Sequence, residues 1–153
     1  MRHFSRQHVI RGFALLAAGA MTSTSTRSLA TQQLPLAIKG YDTVAYFTLG
    51  KPVRGRPEIA FEWDELRYLF SSKEHRELFA ADPVRYAPQF ANFCAMALTK
   101  GELDEANPEY WLISDSKLYI FAKPAPMGPA LFQRDPAGNV ARANQHRSLI
   151  EQR

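Results

Sequence analysis

The chain has 153 residues, 46% of them apolar, enough for the core of one domain and short for two. Its formal charge of +4 comes from Arg2, Arg6, Arg11 and Arg27, which lie in a leading segment without Asp or Glu; removing these four from the 19 basic residues leaves 15, equal to the 15 acidic ones. The remainder therefore lacks the basic footprint that phosphate binding needs, so nucleic acid is not an expected partner. The single cysteine, Cys94, excludes an intramolecular disulfide and a zinc site built from several thiolates.

Residues 1–30 have a basic head, an apolar run from Gly12 to Met21, and a Ser/Thr-rich stretch ending in Ser28-Leu29-Ala30. That is the plan of a bacterial secretory signal with small residues at the cleavage positions. The apolar run is about half the roughly 20 residues a spanning helix needs, so no lasting membrane anchor is expected. Ser5-Arg6-Gln7 resembles the start of a twin-arginine export motif with Gln7 in the place of the second arginine, so either export route fits. A mature chain starting near Thr31, in the periplasm or outside the cell, is the expectation.

From Leu36 onward the sequence shows no low-complexity tract and no internal repeat. Asp42 stands before the apolar run Thr43 to Phe47, as a cap stands before a short helical turn. Ile59, Phe61 and Trp63 alternate with polar neighbours, and Leu66 to Phe70 is rich in strand formers, which predicts a β-hairpin turning near Asp64-Glu65. Ser71-Ser72-Lys73-Glu74 has capping-box spacing and predicts a helix over about 72–81, ended by Asp82-Pro83, which opens a short turn containing Tyr86. Tyr110 to Ile113 and Leu118 to Phe121 flank Ser114 to Lys117 and predict a second hairpin, followed by a Pro-rich stretch and helical candidates over 130–134 and 139–150. The predicted class is α+β, a small single domain of two β-hairpins with several short helices.

Within this frame Tyr68-Leu69-Phe70-Ser71, then His75, Phe79, Pro83 and Tyr86, resembles the YHS motif. With Gly40-Tyr41-Asp42 upstream and Tyr86-Ala87-Pro88 and Cys94 downstream, the chain is similar to exported YHS domain-containing proteins over about 36–121, the rest forming a helical C-terminal extension. Some members carry selenocysteine at the position of Cys94. YHS domains accompany metal-handling proteins, so the resemblance implies binding of a soft metal ion such as copper. The pattern departs from the metal type where Ala45 and Phe70 hold the places of cysteines and where Ala91-Asn92-Phe93 precedes Cys94 in place of a Gly-rich approach.

The candidate ligand-contacting residues are Cys94, His75 and Asp42. Cys94 lies in an apolar stretch where Asn92 is placed to cap a helix beginning near Phe93, so it reads as a buried structural residue or as a thiol activated by the first helical turn. His75 lies four residues before Phe79 on the predicted helix, either as a packing residue or as a ligand. Asp42 reads as a cap or as a carboxylate lining a cleft. Tyr41, Tyr46, Trp63, Tyr68 and Tyr86 suit a small core or an aromatic pocket. Three functions stay open: a non-enzymatic binding domain, a thiol redox protein using Cys94, and a structural or interaction module. No nucleotide-binding, serine-hydrolase or zinc-protease signature occurs.

Overall fold

A computed structural model describes residues 33–152, so the export segment expected at 1–30 lies outside the described residues. In chain order the elements are a left-handed turn at Ala37–Gly40, α1 (Ala45–Thr48), β1 (Arg56–Trp63), β2 (Leu66–Phe70), α2 (Lys73–Ala81), α3 (Pro83–Tyr86), α4 (Ala95–Leu98), β3 (Asn107–Ser114), β4 (Lys117–Phe121), α5 (Pro129–Phe132), α6 (Pro136–Gln145) and α7 (Ser148–Glu151). This is a small α+β domain with two two-stranded antiparallel sheets, β1-β2 and β3-β4. Among the described residues no helix is long and apolar enough to cross a membrane.

Both hairpins turn on two residues with positive φ, Asp64 and Glu65 (50° and 60°) in the first and Asp115 and Ser116 (50° and 56°) in the second. Positive φ at both central positions gives the turn the twist that antiparallel strands require, and short polar side chains such as Asp tolerate it best. Ser72 caps α2 by accepting from the His75 N–H at 3.1 Å, one residue later than the capping-box spacing from Ser71 suggests. Asp82 then caps α3, accepting from the Arg85 N–H at 3.1 Å, with Pro83 in the first turn where its missing N–H costs nothing.

The expectation of no internal repeat is overturned, because the second half of the domain rebuilds the first. In β1-β2, Arg56 faces Phe70 and Ala60 faces Leu69; in β3-β4, Asn107 faces Phe121 and Trp111 faces Ile120, with the same irregularity between the two pairs. Upstream of each hairpin the same backbone bonds recur. Asp42 N–H donates to Val53 O and Cys94 N–H to Asp104 O, both at 2.8 Å, while Gly55 N–H reaches Gly40 O and Ala106 N–H reaches Asn92 O. Downstream, Phe79 stacks on Tyr68 and Phe70 with ring centroids 4.4 and 5.2 Å away, and Phe132 stacks on Tyr119 and Phe121 at 4.7 and 5.5 Å. Asp135 caps α6 through the Gly138 N–H at 3.0 Å as Asp82 caps α3. Tyr-x-Phe, Leu-Phe and Asp-Pro are shared by both halves, but the intervening loops differ in length and so mask the period.

Each half has its own apolar cluster, one around Tyr68, Phe70 and Phe79 and the other around Tyr119, Phe121 and Phe132. A third cluster, with Ile38, Tyr46, Leu118 and Ile120, joins them, supported by the Tyr46 Oη–H donating to Pro108 O at 2.8 Å and by a parallel bridge between Pro88 and Leu118. The core therefore does not stop at Phe121: Phe132 and Ala143 are fully buried, and the C-terminal helices belong to the second half of the domain instead of extending from it.

Phe79 is the hub of the first cluster, also meeting Phe61 and Trp63 edge-on. Phe79→Ala is expected to destabilise the fold by about 3–5 kcal/mol, read as a lower urea midpoint.

Candidate functional site

Asp42 and His75, distant in sequence, meet at the junction of α1, the end of β2 and α2. The Asp42 side chain is 0% exposed and His75 Nδ1 lies 2.6 Å from its Oδ2. The same oxygen accepts from the Ser71 N–H and Oγ–H at 2.8 and 2.5 Å, while Oδ1 accepts from the Val44 and Ala45 N–H groups at 3.0 and 3.2 Å. Five donors thus surround a buried carboxylate, which is the condition under which burying such a group is tolerable. Asp42 closes the turn that leads into α1, accepting from the Val44 and Ala45 N–H groups, while the N-cap position itself falls on Val44.

A carboxylate accepting at both oxygens has no hydrogen to share, so the Nδ1 of His75 carries the proton and Nε2 is the outward nitrogen. Nε2 sits 3.0 Å from the Oγ1 of Thr48, an exposed residue at the end of α1. Thr48 Oγ1 is also 3.2 Å from Val44 O, so its one hydrogen has a second acceptor within the helix. The His75 side chain keeps 13% of its surface exposed. Asp42, Ser71, His75 and Thr48 therefore form one connected chain running from the interior to the surface. Thr48 is the member that sequence reading missed, since a lone Thr after Tyr46-Phe47 carries no motif. Ser71 belongs to this chain and not to the helix cap, which is why the cap falls on Ser72.

Cys94 is elsewhere. It is 4% exposed within the second apolar cluster, and its Sγ accepts from the Ala97 N–H at 3.5 Å, capping the one-turn helix α4. The expected helix at Phe93 capped by Asn92 does not form. Asn92 instead ties the two halves together, accepting from the Ile38 N–H and donating to Leu36 O. His146 packs over Gly101 in the second half. Among the described residues no group of three or more His, Cys, Asp or Glu is placed to hold a metal ion.

The repeat shows what is particular about the first half. The position equivalent to Asp42 is Cys94, that of Ser71 is Ala122, and that of His75, counted from the paired Phe79 and Phe132, is Gly128. A Cβ on Gly128 would lie 2.1 Å from Lys123 O and 3.0 Å from the Phe121 Cβ, so the Pro-rich turn fills the volume that an imidazole occupies in the first half. Thr43, fully buried with an unpartnered hydroxyl, corresponds to Ala95. The same turn, hairpin and helical path thus form without a buried charge.

The aromatic set divides as the core reading predicts: Tyr46, Tyr68 and Tyr86 are buried, Tyr41 and Trp63 half-buried. Burial pushes the Tyr46 phenol well above its ordinary value, with Glu109, Tyr41 and Asp42 adding to the effect; burial and then Asp64 do the same at Tyr68. No protein-family model matches the chain, and neither curated proteins nor solved structures give a match.

Asp42→Ala, which strands five donors, is expected to cost about 3–5 kcal/mol, whereas Thr43→Val, which removes an orphaned hydroxyl, should stabilise by about 1 kcal/mol; chemical denaturation distinguishes the two signs. The raised phenols hold stability that is complete below the unfolded tyrosine value of about 10 and lost as pH rises toward the folded values. Melting temperatures across the alkaline range should therefore fall, and fall less for Tyr68→Phe.

Proposed function

We propose that the chain is an exported YHS-type binding domain without catalytic activity of its own, and that its ligand contact is the Nε2 of His75, taking a transition-metal ion such as copper. The observation that carries this reading is the contrast between the halves. The second half builds the same architecture with Cys94, Ala122 and Gly128, so the buried Asp42–His75 pair exceeds what the fold requires. A carboxylate that fixes the tautomer and the ring orientation of an imidazole is also the outer-sphere arrangement of metal-binding histidines.

The motif from Tyr68 to Tyr86 and the export-like leading segment support the family and the location. A closed resident centre does not fit the described residues: Asp42 has both oxygens engaged, and Cys94 is sealed in the other apolar cluster. From this chain the ion would have one nitrogen, with its remaining ligands supplied by solvent or a partner. Imidazole without thiolate favours a borderline ion over a strictly soft one. Thr48 can yield Nε2 because Val44 O is already within reach of its hydroxyl. A thiol redox role finds little support, since the Cys94 sulfur lacks the exposure that such chemistry needs.

Calorimetric titration of the purified protein with copper(II), nickel and zinc tests this. Binding should vanish in His75→Gln, persist in Cys94→Ala, and weaken about 10- to 100-fold in Asp42→Asn, where the outer-sphere carboxylate is lost. If Asp42→Asn does not fold, Thr48→Ala serves instead and should bind at least as tightly as the parent. Binding that survives His75→Gln, or that follows Cys94, overturns the reading.

A further inference from the structure

The chain of contacts from Asp42 to Thr48 has the geometry of a hydroxyl nucleophile, its base and the group that orients the base. Asp42 Oδ2 holds the Nδ1–H of His75 at 2.6 Å, which leaves Nε2 as an acceptor, and the Thr48 hydroxyl lies 3.0 Å from it. That hydroxyl is nearer to Nε2 than to its other acceptor, Val44 O at 3.2 Å. The orienting carboxylate is fully buried and fixed by five donors, whereas the hydroxyl is at the surface where a reactant can reach it. Leu49, next in the chain, and Leu78, three residues beyond His75 on the same face of α2, are 53% and 41% exposed, so aliphatic side chains stand at the surface beside both the nucleophile and the base. The architecture does not require this arrangement. Thr48 stands six residues beyond Asp42, and six beyond Cys94 the second half has Lys100, with Gly128 in the place of the imidazole.

We propose that Thr48 is a self-acylation site, whose hydroxyl accepts a short aliphatic acyl group from an acyl thioester. Nε2 of His75 takes the hydroxyl proton as Thr48 Oγ1 bonds to the carbonyl carbon. The tetrahedral intermediate then collapses by breaking its carbon–sulfur bond, and the departing sulfur receives that proton from Nε2. The products are an acyl-threonine ester and a free thiol, with no change of oxidation state. Asp42 is a positioning residue, holding the imidazole in the tautomer that leaves Nε2 free to accept. The acyl group stays on Thr48, so the step is one modification per chain and agrees with a domain that performs no turnover. The proposal shares His75 with the metal reading without depending on it: an ion on Nε2 removes the base, and the metal-free chain retains it.

Incubation of the purified protein with the butanoyl thioester of N-acetylcysteamine, in the presence of a metal chelator, tests the site, with adducts assigned to residues by peptide mass mapping over time. The internal reference is Ser116, an exposed primary hydroxyl at the second hairpin turn with no histidine hydrogen-bonded to it among the described residues. Thr48 should carry the butanoyl group and gain it at least about 100-fold faster than Ser116, although its own hydroxyl is secondary. Thr48→Ser should keep the adduct and Thr48→Ala should lose it; the side chain is exposed, so both variants fold. His75→Gln and Asp42→Asn, checked by their melting curves, should lower the rate at residue 48 by about 100-fold or more while leaving the rate at Ser116 unchanged, which a general loosening of the fold would not do. Because the reaction is run without metal, its result is separate from that of the copper titration. No adduct on Thr48, a rate there no greater than at Ser116, or an undiminished rate in folded His75→Gln overturns the proposal.

Discussion

One buried carboxylate organises the first half of this domain. Asp42 is removed from water, and the hydration it gives up is replaced by donors from α1, from Ser71 at the end of β2 and from His75 on α2. Each donor is itself fixed by local structure: the Val44 and Ala45 N–H groups by the turn after Asp42, the Ser71 N–H by its place directly after β2, and the imidazole by a helix capped at Ser72. Burial of a charged group is costly without such satisfaction, so these three elements have little freedom to move apart. The outward nitrogen of His75 inherits that rigidity.

The second half demonstrates that the architecture tolerates a less demanding solution. Cys94 places a weak sulfur acceptor where Asp42 places an oxygen, and the Lys123 to Gly128 turn fills the space of the imidazole. The aromatic triplets are nearly superimposable in their ring distances, which indicates that apolar packing sustains the fold in both halves. The polar chain from Asp42 to Thr48 is an addition to one copy. Asymmetry of this kind separates what the architecture requires from what one half adds to it.

Joining the halves leaves further asymmetry at their edges. Asn92 and the third apolar cluster close the central junction, whereas the hairpin tip of the first half meets the C-terminal helix across an open groove. In the equivalent tyrosines, Tyr68 and Tyr119, burial raises the phenol, and the acidic residue of the same hairpin turn, Asp64 or Asp115, adds to it. Tyr68 lines a groove with the C-terminal helix opposite it.

What the amino-acid sequence determined by itself was local. Alternation and turn residues define both hairpins, Asp82-Pro83 ends α2 and opens α3, and Asp42 announces a helical turn, because each depends on bonds among near neighbours. The tertiary structure decided everything that spans the chain. It brought His75 and Ser71 onto Asp42, set Cys94 apart in another cluster, and revealed the duplicated half behind unequal loops. Those outcomes depend on which apolar faces pack together, and spacing along the sequence does not encode that distance in space.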